Sequence, residues 1–121
     1  MNSNTYELFE QAMRERKQIV CRYHGLPREI CPIILGWTNG EEKCLAYQFA
    51  GESTKPMTTP QSRWRCLRLA EVTDVQLREG PWLSGGEHGQ AQTCVRIVDL
   101  DVNPDSPYHP RRRFSTPVEP I

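Results

Sequence analysis

The stretch "QIVCRYHGLPREICPIILGWTNGEEKCLAYQFAG", residues 18–51, decides the architecture. Its apolar side chains alternate: Ile19, Cys21 and Tyr23 against Val20, Arg22 and His24. Successive strand residues point to opposite sides of a sheet, so this period of two predicts a strand. "GLP" at 25–27 is a turn signal, because glycine tolerates backbone angles that other residues avoid. "REICPIILGW" predicts a second strand in which Pro32, lacking an amide donor, requires an edge or a bulge. "TNGEE" carries the Asn-Gly pair that favours a tight hairpin, and the chain returns as "KCLAYQFAG".

Upstream, the period is helical. Residues 5–16, "TYELFEQAMRER", place Leu8, Phe9, Ala12 and Met13 on one apolar stripe. Asn4 is the expected N-cap, with Glu7 three residues on to reach back, and "RERK" sets cations against the helix dipole at the C-terminus. Downstream, "ESTKPMTTPQS" is a polar loop, followed by strand-like "RWRCLRLAEV" and "TDVQLRE". One helix and about five short strands predict a mainly β, α+β domain. A strand set of this size closes most readily as a small bent barrel, hiding its edges, with the helix over one open end. Residues 1–80 form that unit. Residues 81–121 form a Gly/Pro-rich extension: the linker "LSGGEHGQAQ", one added strand in "TCVRIVDLDVNP" that pairs with an edge or another copy, and an extended end.

Composition bounds the function. With 121 residues, one domain is expected, and 15 basic residues cancel 15 acidic ones. Zero net charge argues against a surface that is wholly a nucleic-acid footprint, while leaving room for a local basic site. No apolar run approaches the length of a membrane span, and "MNSNTYELFEQ" lacks a signal-peptide layout, so no membrane partner and a cytoplasmic location are expected. The five cysteines (21, 31, 44, 66 and 94) form no CxxC pair, so they are expected as buried, reduced thiols and not as zinc ligands or disulfides.

No catalytic constellation is legible, and the chain is expected to be non-enzymatic and to need no cofactor or metal. Cys21 and His24 would point to opposite faces of a strand. Asp99 and Asp101 share a face, which is expected to be solvated, and "HPRRRF" reads as a solvated basic tail. The Gly-Gly of the linker lacks the context and lysine of a phosphate loop.

What remains is arginine: Arg22, Arg28, Arg63, Arg65 and Arg68. Arginine suits planar, bidentate recognition of phosphate or carboxylate, and Tyr47, Trp64 and Gln48 add stacking and base-edge hydrogen bonds. The alternative is ordinary surface pairing with Glu29, Glu41, Glu42 and Glu71. In "SRWRCLRL", residues 62–69, alternation puts Arg63, Arg65, Leu67 and Leu69 on one face and Trp64, Cys66 and Arg68 on the other. A bulge near Cys66 is required if Arg65 and Arg68 are to meet.

The succession "IVCRYHGLPREICPIILGW", "KCLAYQFAG", "RCLRLAEV" resembles the WYL domain family over residues 6–80. Lys43-Cys44-Leu45 stand where that family has Trp-Tyr-Leu, and Ala70 and Glu71 replace a late Asp and Arg. The resemblance implies an SH3-like (Sm-like) barrel that senses a nucleotide or nucleic acid. Arg28, Arg65 and Arg68 match family arginines, and Tyr47 approximates the signature aromatic. The usual attached helix-turn-helix has no counterpart, since one helix cannot form it. The expectation is a WYL-like regulatory module binding a nucleotide or single-stranded nucleic acid through Arg28, Tyr47, Gln48, Arg63, Trp64, Arg65 and Arg68. The alternative is an assembly module joining a homo-oligomer or partner protein through barrel edge strands.

Overall fold

Helix α1 (Asn4–Glu15) buries Tyr6, Phe9, Ala12 and Met13. Tyr6 takes the place expected of Leu8, which is only half-buried. Ser3, not Asn4, is the N-cap: its Oγ accepts from the Tyr6 amide, and the Glu7 amide donates to the Ser3 carbonyl. Arg16 ends the helix in the left-handed region. The computed structural model describes residues 2–52, 63–83, 92–103 and 108–112. The Thr/Pro loop, most of the glycine-rich linker and the chain beyond 112 lie outside them.

Strands β1 (Gln18–Tyr23), β2 (Leu26–Thr38), β3 (Glu41–Gly51), β4 (Trp64–Arg68) and β5 (Val72–Arg78) follow, with a 3-10 turn over Leu69–Glu71 between the last two. A sixth strand, β6 (Ile97–Asp101), completes an antiparallel sheet. Its order is β4-β3-β2-β1-β5. β1 pairs only with the first part of β2, through Ile30, and β6 takes the same side further along, from Ile34 to Trp37. β2 is consequently covered on both faces from Ile30 to Gly36. The sheet is bent but not closed: among the described residues β4 and β5 do not pair with each other.

Both hairpins turn on two residues with positive φ, His24-Gly25 and Asn39-Gly40. That geometry matches the twist of the flanking strands. The first turn therefore lies one residue earlier than "GLP" suggests, and Tyr23 pairs with Leu26, Cys21 with Arg28. The β2–β3 ladder shifts register between Pro32 and Ile34, where the proline amide is missing.

The thiols divide into two groups. Cys21, Cys31 and Cys44 are buried and free. Cys66 and Cys94, expected as reduced thiols, form a disulfide instead. Alternation along β4 turns Cys66 outward to solvent, and the approach to β6 lays Cys94 against it. Their separation of 28 residues carried no sign of this. No described helix is long and apolar enough to cross a membrane.

Candidate anion site

The register of the strands brings cations onto one buried face of the sheet. Cys21 of β1 stands opposite Arg28 of β2, Ile30 of β2 opposite Gln48 of β3, and Ala46 of β3 opposite Arg65 of β4. Directly opposed residues in an antiparallel ladder share a face. Arg28, Gln48 and Arg65 therefore lie with the buried residues Ile19, Cys21, Ala46 and Leu67. Arg28 is 3% exposed, Gln48 0% and Arg65 8%.

Arg28 is held from two directions. Its Nη1 donates to Gln48 Oε1 at 3.1 Å and its Nη2 to the Tyr23 carbonyl at 3.4 Å. The Tyr23 ring lies 5.4 Å from the guanidinium. Gln48 is fixed in turn, its Nε2 donating to the carbonyls of Ala50 (3.2 Å) and Glu52 (2.9 Å). Buried Nε of Arg28 has no hydrogen-bond acceptor among the described residues. No carboxylate pairs with this guanidinium among the described residues. Nor is Cys21 its counter-ion: burial pushes that thiol up to about 11, so it is neutral at physiological pH.

Two further guanidinia adjoin. Arg65 Nη1 donates to the Trp64 carbonyl at 2.9 Å, and Arg63 Nη1 to the Phe49 carbonyl at 3.1 Å. Burial lowers the pKa of Arg65, and repulsion from Arg28 and Arg63 adds to it. Burial lowers Arg28 as well. Arginine starts so far above neutrality that both stay charged. Three like charges thus share one region of the inner face.

The other expected site residues lie elsewhere. The β3–β4 ladder runs without a shift from Lys43–Arg68 to Tyr47–Trp64, so the bulge near Cys66 is absent. Arg68 consequently points outward, bound to Glu41 at 2.9 Å and near Glu71 at 3.7 Å. Tyr47 and Trp64 form an edge-to-face pair, centroids 5.5 Å apart, on the outer face away from Arg65. Arg22 is exposed near Asp74. The surface-pairing alternative thus describes Arg68, while Arg28 departs from it.

Tyr23 was not singled out in the sequence, yet it supplies both a carbonyl and a ring to Arg28. The Asx-like tolerance of His24 for positive φ was the signal that would have set the register and revealed it. Asp99 and Asp101, expected on a solvated face, are both buried. No cluster of three or more His, Cys, Asp or Glu residues suited to a metal occurs among the described residues. Comparison with known proteins finds no matching family model, no matching curated protein and no matching solved structure.

Proposed function

We propose that the chain is a WYL-like ligand-sensing module on an SH3-like (Sm-like) barrel, holding an anionic ligand at Arg28, Arg63 and Arg65. The observation that carries this is Arg28, a buried cation with no carboxylate partner among the described residues. Removing an ion from water costs several kcal/mol unless an opposite charge offsets it. An anion against Arg28 would supply that offset, and the neighbouring guanidinia add to its attraction. Gln48 and Tyr23 hold the two Nη atoms of Arg28 and leave its buried Nε without an acceptor among the described residues.

The order β4-β3-β2-β1-β5, with a 3-10 turn before β5 and a leading helix, supports the barrel assignment. The ligand is a nucleotide or a short single-stranded nucleic acid. Because Arg28 is so little exposed, a terminal phosphate reaches it more readily than one inside a long strand. Titration of labelled single-stranded DNA, RNA and a nucleoside triphosphate tests this. Wild type binds at least one of them, and Arg28→Met and Arg65→Ala each weaken it at least tenfold. Equal binding by all three proteins would refute the site.

A cytoplasmic setting belongs to the same proposal. The Cys66–Cys94 bond weighs against it, because reducing compartments keep such pairs as thiols. Alkylation and mass measurement of the chain recovered from cells decide between them.

A second reading rests on the open sheet. β4 pairs only with β3, and β5 only with β1, among the described residues. Unpaired strand edges join subunits readily. Light scattering that shows a monomer across a wide concentration range removes this reading.

A further inference from the structure

Within the basic cluster expected as a solvated tail, Arg111 and Arg112 are exposed yet bonded to the fold. Arg112 Nε donates to Asp99 Oδ1 at 2.9 Å and its Nη2 to Asp99 Oδ2 at 2.5 Å, a bidentate pair. The same Nη2 reaches Glu10 Oε1 at 2.8 Å, and Nη1 reaches Glu10 Oε2 at 3.3 Å. Asp99 is 2% exposed and accepts a third bond, from the Tyr6 hydroxyl, at 2.6 Å. Beside it the Arg111 guanidinium lies 5.4 Å from the Trp37 ring, which itself stacks on Tyr6 at 5.4 Å. Two backbone bonds align the segment: Arg111 N to the Val98 carbonyl, 3.0 Å, and Arg112 N to the Asp99 carbonyl, 2.9 Å.

Receptor and occupant come from different parts of the chain. The receptor comprises Tyr6 and Glu10 of α1, Trp37 of β2, and Asp99 of β6. The occupant is the segment at 111–112, whose Arg112 side chain remains 47% exposed while the carboxylate it binds is buried. A planar fork between two carboxylates, beside an aromatic face, selects arginine over lysine. The segment adds two main-chain donors, the consecutive amides of Arg111 and Arg112, presented from a bend.

We infer that this is a binding site for a segment of a partner protein carrying two adjacent arginines, with Arg111-Arg112 of the same chain as its built-in competitor. An intramolecular occupant acts at high effective concentration and weakens apparent affinity for any rival. Displacement would therefore be graded by how firmly the chain's own arginines hold.

The test uses a fluorescent peptide spanning residues 106–116, "SPYHPRRRFST", titrated into full-length protein. Arg112→Ala should bind it at least tenfold more tightly than wild type, since the competitor is weakened. Arg112→Lys should fall between, and carries the comparison if Arg112→Ala does not fold. Adding Glu10→Gln to either variant should weaken peptide binding at least threefold. A peptide with lysines for its arginines should bind at least tenfold more weakly. The inference is overturned if the folded variants bind no peptide, if wild type and variants bind equally, or if the lysine peptide binds as well. A dimer that grows with concentration in wild type and disappears in Arg112→Ala would assign the site to a second copy, overturning the separate partner.

Discussion

Arg28 and Asp99 are both buried ionic groups, and their surroundings treat them oppositely. Among the described residues Arg28 is hydrogen-bonded only to neutral acceptors, so its charge costs free energy in the unliganded chain. Replacing buried ionic groups with apolar ones of similar volume often stabilises a protein by roughly 1–4 kcal/mol. Replacing Arg28 alone would strand Gln48 Oε1, which costs about 1–3 kcal/mol. With these effects opposed, and Gln48 still bonding the Ala50 and Glu52 carbonyls, Arg28→Met should leave the urea midpoint of unliganded protein nearly unchanged while abolishing anion binding. A lowered midpoint would show that the charge is already compensated. Asp99 has its compensation built in. Burial would raise its pKa, but bonds from Arg112 and Tyr6 and the charges of Arg112 and Arg111 hold it below the ordinary 3.8. A carboxyl lowered on folding contributes stability that is fully present above its ordinary value and lost as pH falls through the folded value. Urea midpoints taken from about pH 5 down to about pH 2 should fall more steeply for wild type than for Asp99→Asn. Parallel slopes would contradict this.

Among the elements, β6 depends on the neighbour it lies against. A methyl group on Gly36 would stand 1.9 Å from the Ile97 carbonyl and 2.8 Å from a Val95 methyl. Gly36→Ala must therefore push β6 off β2, at a cost of about 3 kcal/mol if the strand stays docked. Hydrogen exchange at residues 97–101 would report the change as faster exchange confined to β6 and its partner; unchanged protection would refute it. The disulfide secures the approach to the same strand. Closing a loop across 28 residues stabilises by roughly 3.5 kcal/mol through the unfolded state. Cys66→Ser/Cys94→Ser should lose about that much in denaturant unfolding, and reductant should destabilise wild type but not the variant. Elsewhere the elements were legible from local rules. The period of two marked β1 to β3, the Asn39-Gly40 turn followed from residue type, and alternation alone separated Arg65 from Arg68. The N-cap and the first turn were each displaced by one residue, because neighbouring polar or small residues satisfy the same local requirement.

At the scale of the whole molecule, balanced charge limits what the inner face can attract. Three guanidinia facing a single strand give a salt slope of about 2 in log Kd against log salt, at roughly 0.7 per contact. Single-stranded nucleic acid titrated at several salt concentrations should show that shallow dependence. A slope of about 5 or more would mean a broad surface footprint, refuting a local site. Arg112 bonds Glu10 of α1, 102 residues away in sequence, and Asp99 of β6, and so holds residues 111–112 against the body of the fold.

Strand period, helix stripe and turn chemistry were written in the amino-acid sequence, because each follows from covalent geometry within a few residues. The face on which each arginine of β4 lies belongs to the same class. Only the tertiary structure decided which charges are compensated: Arg28 meets neutral groups, Arg68 meets Glu41 and Glu71, and Arg112 meets Asp99 and Glu10. Likewise it paired Cys66 with Cys94 and buried Asp99 and Asp101. The reason is range. Compensation and burial depend on strand register between residues tens of positions apart, and no local pattern encodes that distance.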